Sequence, residues 1–436
     1  MSESPPLTTC PAGPLRGTIT APGDKSITHR AIILSALADG EATISDYCPG
    51  EDCLHTAYAL QALGISIEIA DDRLRVSGKG LWGLREPQQI LDCGNSGTGI
   101  RLLAGVLAGQ DFFSVLTGDA SIRKRPMGRV VGPLREMGAV IAGRRGGELA
   151  PLAITGARLH GLAYRSLIAS AQVKSSVLLA GLFADGMTSV AEPALSRDHT
   201  ERMFGYLGIP ITRNGLTVSL TGRPSFAAKN IAVAGDLSAA AFFLVAASLV
   251  PDSDITIIGV GINPTRTGVL EVLRDMGASI ESVNPRDQAG EPVADLRVRA
   301  APLHGITIGA DRIPRTIDEL PILCVAAAGA QGETVIAGAS ELRVKESDRI
   351  TSMTTELRRM GVEVEERSDG MRILGGRPLT GAVCRSHGDH RVAMSMAVAG
   401  LVAKGETRVE DTACVGTSFP EFDKKLSGLL TPSKQE

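Results

Sequence analysis

Two kinds of apolar segment recur along the chain. If the first kind is drawn as a helix, nearly every side of that helix is apolar. Such a segment predicts a buried helix. Each copy follows a turn of small or polar residues, so that the turn opens the helix. The copies are PGDKSITHRAIILSALA (22–38), CGNSGTGIRLLAGVLA (93–108), ASAQVKSSVLLAGLF (169–183), AGDLSAAAFFLVAASLV (234–250), IDELPILCVAAAGA (317–330) and HGDHRVAMSMAVAGLVA (387–403).

The second kind predicts an amphipathic helix that a glycine ends, followed by an alternating strand. Glycine just past the last turn is the expected helix stop. Charged stretches in these helices, such as RDHTERM (197–203) and ELRRMG (356–361), are predicted to be solvated faces. The stopping glycines stand about 70 to 84 residues apart, at Gly64, Gly138, Gly208, Gly277 and Gly361.

Six repeated units of helices and strands predict an α/β protein. Single cores stop growing near about 250–300 residues, so two groups of three units are expected. If the buried helices of a group run side by side, their N-termini converge on one face. Two such faces opposed across a cleft would attract anions, because helix N-termini present backbone N–H groups and positive dipole ends.

The amino-acid composition makes some classes of function less probable than others. The 436 residues include 45 basic and 48 acidic side chains, and aromatic residues make up 3%. This balance disfavours nucleic-acid and membrane-surface binding. Seven dispersed cysteines without a CxxC pair predict a reduced, cytoplasmic protein whose cysteines are mostly buried. No signal peptide or membrane span is predicted. His387 and His390 lack a third nearby ligand, so no metal is expected.

The first turn, PGDKSITHR (22–30), poses a choice between a capped helix and an anion pocket. Asp24 or Ser26 is a suitable cap. However, Lys25 and Arg30 would stand at the positive end of a helix, where the dipole disfavours cations. An anionic ligand would remove that conflict.

Six further stretches contain candidate chemistry. CGNSGTGIR (93–101) resembles a phosphate-cradling loop without the Walker pattern, and its Gly97 permits close backbone approach. SIRKRPMGR (121–129) is either a surface basic cluster or an anion site. In ASAQVKSS (169–176), Ser170 is a possible cap, whereas Gln172 and Lys174 have no structural need.

The remaining three lie in the second half of the chain. IDELPIL (317–323) begins with Asp318 and Glu319, one of which capping explains. LRVKESDRI (342–350) mixes charges that are either helical salt bridges or a site, and SHGDHRVAM (386–394) places Arg391 at a helix start. Many cations and few carboxylates suit transfer between two small anionic substrates.

Together these stretches resemble the 3-phosphoshikimate 1-carboxyvinyltransferase (EPSP synthase) family over about residues 14–428. The resemblance rests on PGDKSITHR, GNSGTGIRLL, KRPMGR, ASAQVKS, DELPIL, RVKESDR and DHRVAM. It implies the enolpyruvyl transferase fold, a two-domain inside-out α/β barrel of six βαβαββ-like units. The expected domains are 1–21 with 236–436, and 22–235, with the active site in the cleft between them.

The family transfers the enolpyruvyl group of phosphoenolpyruvate to the 5-hydroxyl of 3-phosphoshikimate in aromatic amino-acid biosynthesis. The resemblance implies no cofactor and a monomer. It implies catalytic roles for Asp318, Glu346, Lys345 and Lys25. Implied ligands of 3-phosphoshikimate are Lys25, Ser26, Arg30, Ser170, Gln172, Ser196, Asp318 and Lys345. Implied ligands of phosphoenolpyruvate are Lys25, Gly97, Arg125, Gln172, Arg349 and Arg391.

Four positions depart from the better-known branch of the family and resemble its more divergent second branch. They are His29, Leu102, Glu341 and Thr417. The nearest alternative is the sister transferase that acts on UDP-N-acetylglucosamine, which usually has a cysteine in the loop matching 119–128; this loop has none. A non-catalytic anion-, nucleotide- or RNA-end-binding repeat protein is the other alternative, and retention of Asp318 and Glu346 weighs against it.

Overall fold

The structure, a computed structural model, describes residues 5–430. Its helices are α1 (Lys25–Leu37), α2 (Glu51–Ala62), α3 (Gly97–Ala108), α4 (Gly128–Glu136), α5 (Ala171–Gly181), α6 (His199–Leu207), α7 (Leu237–Leu249), α8 (Gly268–Asp275), α9 (Ile313–Thr316), α10 (Leu320–Gly329), α11 (Arg349–Arg359), α12 (His390–Gly400) and α13 (Phe422–Leu429). Short 3-10 turns occupy Ile122–Lys124, Arg145–Gly147, Ser340–Val344 and Thr412–Thr417.

The strands are short. They are β1 (Leu7–Thr9), β2 (Arg16–Thr20), β3 (Asp39–Ser45), β4 (Ser66–Ile69), β5 (Arg73–Lys79), β6 (Leu91–Asp92), β7 (Phe113–Thr117), β8 (Val140–Arg144), β9 (Leu149–Thr155), β10 (Ala163–Arg165), β11 (Met187–Ala191), β12 (Ile211–Asn214), β13 (Thr217–Thr221), β14 (Ile231–Ala232), β15 (Asp254–Gly261), β16 (Ser279–Gln288), β17 (Glu291–Arg299), β18 (Thr307–Ile308), β19 (Gly332–Ile336), β20 (Glu363–Arg367), β21 (Gly370–Gly375), β22 (Val383–Arg385) and β23 (Thr407–Glu410).

One sheet plan is repeated. Within residues 5–430, five four-stranded sheets have the orders β14-β3-β5-β4, β6-β7-β9-β8, β10-β11-β13-β12, β2-β15-β17-β16 and β18-β19-β21-β20. In each of them the first strand is parallel to the second, and the second is antiparallel to the third. A sixth sheet, β1-β23-β22, has three strands. The predicted α/β fold of repeated βαβαββ-like units is confirmed.

The glycines predicted to stop the second helices do so. Gly64, Gly138, Gly208, Gly277 and Gly361 have φ values of 87°, 105°, 84°, 100° and 83°. A residue with a Cβ adopts this region at a cost, so glycine lets the chain turn sharply from helix into strand.

Contacts divide the chain into two compact units. The first unit comprises the described residues up to Pro22, then Gly235–Arg286, then those from Pro292 onward. The second unit comprises Gly23–Ala234 and Asp287–Glu291. Within the second unit, buried α3 contacts both α1 and α5; within the first, buried α7, α10 and α12 contact one another. Each unit therefore has a helical interior.

Some charged residues predicted to be solvated are buried instead. In RDHTERM, Asp198 and His199 are buried, and in ELRRMG Glu356 is buried. Glu356 Oε1 lies 2.7 Å from His387 Nε2, so a specific partner compensates its burial. The prediction was wrong there because amphipathic spacing does not reveal ionic partners that lie far away in sequence.

The cysteines follow the prediction. All seven are free thiols, of which Cys48, Cys53, Cys93, Cys324 and Cys384 are buried. Within residues 5–430, no helix is long and apolar enough to cross a membrane.

Candidate active site

In the second unit, the first two turns of α1 lie beside the start of α3, and the start of α3 lies beside that of α5. Ser96 Oγ, at the start of α3, lies 3.1 Å from His29 Nε2 on α1. Gln172 Nε2 on α5 donates to Thr98 Oγ1 on α3 at 3.0 Å. Three helix N-termini thus lie together, and their dipoles favour an anion near these turns. The predicted convergence of helix starts is confirmed within this unit.

The Lys25 turn is a capped helix start whose cation is paired. Asp24 is the cap, because its Oδ1 accepts a hydrogen bond from the backbone N–H of Ile27 at 2.9 Å. Lys25 Nζ lies 2.9 Å from Asp52 Oδ2 on α2. Asp52 therefore offsets the unfavourable placement of a cation at a helix N-terminus, which the sequence left unexplained. Lys25 and Ser26 are half-buried.

Arg30 is buried and bridges three elements. Its Nε donates to Thr200 Oγ1 at 2.7 Å, and its Nη2 donates to Ser175 Oγ at 2.6 Å. Its Nη1 donates to the carbonyl oxygen of Ser26 at 2.8 Å. Burial lowers the pKa of Arg30 to about 10, so the guanidinium remains charged at neutral pH. These contacts use three of its five N–H donors.

Gly97 brings two guanidinium groups against the glycine loop, residues 93–98. A Cβ at Gly97 would lie 2.8 Å from Arg125 Nη1 and 2.9 Å from Arg101 Nη1. Arg101 donates to the carbonyl oxygens of Gly97 (3.1 Å) and Pro126 (2.9 Å). It also donates to Gln172 Oε1 at 2.8 Å. Arg101 thus joins three predicted binding segments. The sequence prediction omitted it, although its i+4 spacing from Gly97 on a helix was a usable signal.

In the ASAQVKSS segment (169–176), the structure confirms one prediction and corrects another. Ser170 caps α5, because its Oγ accepts from the backbone N–H of Val173 at 3.4 Å. Lys174 was predicted to have no structural need. Instead it is buried, with Nζ 2.8 Å from Glu192 Oε2 and 2.7 Å from Glu201 Oε1. A buried cation requires such partners, and both lie beyond the local sequence.

Ser196 follows Glu192 in a partly exposed loop, and both of these residues are buried. Its hydroxyl donates to Glu192 Oε1. A hydroxyl has one proton, so in this geometry Ser196 presents only its oxygen lone pairs to a ligand.

In the first unit, Asp318 lies among three cations. Lys345 Nζ is 3.6 Å from its Oδ1, and Arg349 Nη1 is 3.5 Å from the same oxygen. Arg391 Nη1 donates to the backbone oxygen of Asp318 at 2.8 Å. The structure therefore brings together residues from three separate predicted segments.

Arg349 is buried and ion-paired with a residue that the sequence prediction omitted. Its Nε donates to Asp389 Oδ2 at 2.8 Å, and its Nη2 donates to Glu346 Oε2 at 2.6 Å. Burial alone would raise the pKa of Asp389, but the charge of Arg349 holds it below the usual value. Asp389 Oδ1 also accepts from the backbone N–H of Arg391 at 2.9 Å, which caps α12. One carboxylate thus orients two predicted ligands.

Glu319 does not cap α10, although capping was expected of Asp318 or Glu319. No side-chain hydrogen bond caps this helix. Glu319 instead points inward, where its Oε1 accepts from Ser238 Oγ and lies 3.6 Å from Arg266 Nη2. The starts of α7 and α10 are therefore adjacent.

The predicted site residues fall into two sets, one in each unit. Among the described residues, no group of three His, Cys, Asp or Glu side chains is placed to hold a metal ion. The second unit contains Lys25, Ser26, Arg30, Gly97, Arg125, Ser170, Gln172 and Ser196, and the first contains Asp318, Lys345, Glu346, Arg349 and Arg391.

Comparison with known proteins gives consistent matches. Residues 10–426 match the family model described as EPSP synthase (3-phosphoshikimate 1-carboxyvinyltransferase). Proteins of that name from Desulforamulus reducens and Geotalea uraniireducens are each 54% identical, and the matches cover 96% and 97% of this chain and 98% of each relative. The solved EPSP synthase of Acinetobacter baumannii has a TM-score of 0.88 and 43% identity, covering 98% of both chains. The chain therefore belongs to the EPSP synthase family.

Proposed function

We infer that this chain is a 3-phosphoshikimate 1-carboxyvinyltransferase of the shikimate pathway. It transfers the enolpyruvyl group of phosphoenolpyruvate to the 5-hydroxyl of 3-phosphoshikimate and releases phosphate. The observation that supports this most directly is the placement of Asp318 beside Lys345, Arg349 and Arg391. A carboxylate base among cations suits deprotonation of a hydroxyl next to an anionic substrate.

The reaction is an addition followed by an elimination. In the addition, the 5-hydroxyl oxygen bonds to C2 of phosphoenolpyruvate, and the methylene carbon takes up a proton. In the elimination, the tetrahedral intermediate loses phosphate, and the methyl group gives that proton back. We assign the hydroxyl proton to Asp318 and assign Lys345 and Glu346 to the hydroxyl and the methylene proton. One acid–base set can serve both steps, because each residue changes its protonation state between them.

We assign the remaining residues to substrate binding. Arg125, Arg349 and Arg391 would bind the carboxylate and phosphate of phosphoenolpyruvate, since a planar guanidinium matches both groups. Lys25 and Gln172 would contact both substrates, and Gly97 would lie against phosphoenolpyruvate. Ser26, Arg30, Ser170 and Ser196 would contact 3-phosphoshikimate. Both substrates need ligands from each unit, so the proposal requires the two sets to act on one substrate pair. A monomeric, cytoplasmic enzyme remains the sequence-based prediction.

Phosphate release tests the activity. Purified protein should release phosphate from phosphoenolpyruvate only when 3-phosphoshikimate is present. Release that depends on UDP-N-acetylglucosamine instead would favour the sister transferase. Absence of release with either acceptor would favour a binding protein.

Asp318→Asn tests the assigned base. The amide keeps the size of the carboxylate but cannot accept the hydroxyl proton, so kcat should fall about 100-fold or more. The KM for 3-phosphoshikimate should change less than about tenfold. Asp254→Asn is the control, because Asp254 forms a surface ion pair with Arg297 in the same unit and should leave both constants unchanged. Equal losses in kcat and in 3-phosphoshikimate affinity would make Asp318 a binding residue only.

A further inference from the structure

His29 lies at the centre of a buried hydrogen-bond chain that joins three helices of the second unit. Its side chain on α1 is fully buried. Nδ1 lies 2.7 Å from Thr56 Oγ1 on α2, and Nε2 lies 3.1 Å from Ser96 Oγ at the start of α3. Both ring nitrogens therefore face a hydroxyl group. Neither hydroxyl belongs to the residues assigned to substrate binding.

The hydrogen bonds are compatible with a neutral ring. Ser96 Oγ accepts from the backbone N–H of Gly99 at 2.9 Å, and its own hydrogen can point to His29 Nε2. In that arrangement Nδ1 has the ring proton and donates it to Thr56 Oγ1. Burial lowers the pKa of His29 well below its usual value, and the charges of Lys25 and Arg30 lower it further. A fully buried ring between two uncharged hydroxyl groups is therefore neutral at neutral pH.

The chain of bonds ends at the glycine loop. Ser96 immediately precedes Gly97 and Thr98, whose other contacts are to Arg101 and Gln172. His29 therefore fixes one side of residues 96–98, while Arg101 and Gln172 fix the other. A Cβ at Gly99 would lie 2.9 Å from Thr56 Oγ1, so α2 and α3 are already in close contact here. Little space remains for a compensating shift.

We propose that His29 is a positioning residue for phosphoenolpyruvate: as a neutral bridge between Thr56 and Ser96 it fixes the glycine loop against Arg101 and Arg125. This role rests on the proposed function, because it assumes that Gly97 and Arg125 bind phosphoenolpyruvate. His29 touches no substrate in this scheme. Its loss should weaken one substrate more than the other, which a general loss of folding would not do.

His29→Leu removes both hydrogen bonds while keeping an apolar side chain. The KM for phosphoenolpyruvate should rise about tenfold, because the glycine loop is no longer held by the ring; a tenfold change in affinity corresponds to about 1.4 kcal/mol. The KM for 3-phosphoshikimate and kcat should change less than about threefold. Equal rises in both KM values would overturn the proposal.

Two amide variants separate the two ring nitrogens. The amide of Gln stands as many bonds from the backbone as Nε2, and the amide of Asn as many as Nδ1. His29→Gln should therefore keep the bond to Ser96 and hold the KM for phosphoenolpyruvate within about threefold of the parent value. His29→Asn reaches only Thr56 and should resemble His29→Leu. A normal KM for phosphoenolpyruvate in His29→Asn but not in His29→Gln would contradict the proposal. If His29→Leu does not fold, the comparison of these two variants tests the proposal instead.

Two control variants separate the effect of the Thr56–His29–Ser96 hydrogen bonds from general effects of substitution in the second unit. Thr188→Val changes a buried threonine whose Oγ1 has no hydrogen-bond partner among the described residues, and it should leave both KM values unchanged. His160→Leu makes the same substitution at an exposed histidine of the same unit. Thermal unfolding confirms that each variant is folded. An inactive parent protein would refute the proposed function itself, whereas an active parent with a uniform response in the variants would refute only the role of His29.

Discussion

At the scale of single residues, the buried side chain of His29 should make the stability of this protein depend on pH below about 6.5. The ring of His29 is neutral in the folded chain, because burial and then the neighbouring cations lower its pKa. In the unfolded chain a histidine gains a proton below about pH 6.5. The unfolded state then binds more protons, so the contribution of His29 is complete above that pH and decreases as the pH falls towards the folded-state pKa.

His29→Gln should remove this dependence. From pH 6 to pH 5, the free energy of unfolding of the parent should fall relative to that of the variant by up to about 1.4 kcal/mol per pH unit. Urea denaturation of both proteins at each pH measures this difference in the free energy of unfolding. The charged groups around the ring are Lys25 and Arg30 on α1 and Asp52 on α2, and all three are unchanged in the variant. His160→Gln should follow the parent. Parallel curves for the parent and His29→Gln would show that the ring titrates normally in the fold.

At the scale of elements, an ion cluster of Lys174, Glu192 and Glu201 links α5 to α6 and to the loop before α6. Lys174 on α5 pairs with Glu192 in that loop and with Glu201 on α6. Among the described residues, Glu201 Oε2 has no hydrogen-bond partner. Removing the lysine would therefore leave a buried carboxylate, Glu192, and a mostly buried one, Glu201, without their main compensating charge.

Lys174→Met should be strongly destabilising. Breaking a buried ion pair from one side costs about 3–5 kcal/mol, even though methionine fills similar space. The free energy of unfolding from chemical denaturation measures this cost. Lys424→Met is the matched control, since Lys424 is exposed and pairs only loosely with Glu421 at 3.5 Å; it should change stability by no more than about 0.5 kcal/mol. A loss below about 1 kcal/mol for Lys174→Met would show that the carboxylates find water or other partners.

At the scale of the whole molecule, the assigned site residues are distributed unequally between the two units. The second unit holds most of the predicted 3-phosphoshikimate ligands, while the first holds the assigned base and proton-transfer residues. The second unit is almost one continuous segment, Gly23–Ala234, and its buried helices and its sheets belong to that segment. It therefore has the elements of an independent fold.

A chain of residues 23–234 should fold but should not catalyse. Its far-UV circular dichroism should show mixed α/β structure with one cooperative thermal transition. It should release no phosphate from phosphoenolpyruvate, because Asp318, Lys345 and Glu346 are absent from it. The full chain is the control. Measurable turnover by the segment would contradict the assignment of these three residues, and a non-cooperative transition would show that Asp287–Glu291 or the first unit is needed for folding.

Much of the molecule follows from local pattern. Interactions within a few residues set the helix stops at Gly64 and Gly138, the fully apolar helices, and the caps Asp24 and Ser170, so the sequence predicted them. Six copies of one pattern then predicted a repeated α/β fold, which the sheet orders confirm. The site residues were named through resemblance, since the residues alone left structural alternatives open for most of these stretches.

What tertiary structure alone decided is the pairing of charges across long sequence distances. The pairs Lys25–Asp52, Lys174–Glu192 and Arg349–Asp389 span 27, 18 and 40 residues. Local spacing predicted unexplained cations or helical salt bridges at such places, because the compensating partner lies on another element. The sequence by itself determined which helices begin with cations and small residues. Only the packing of those helices decided that Asp389 orients Arg349 and that His29 supports the glycine loop, because burial makes such pairings obligatory once the chain has folded.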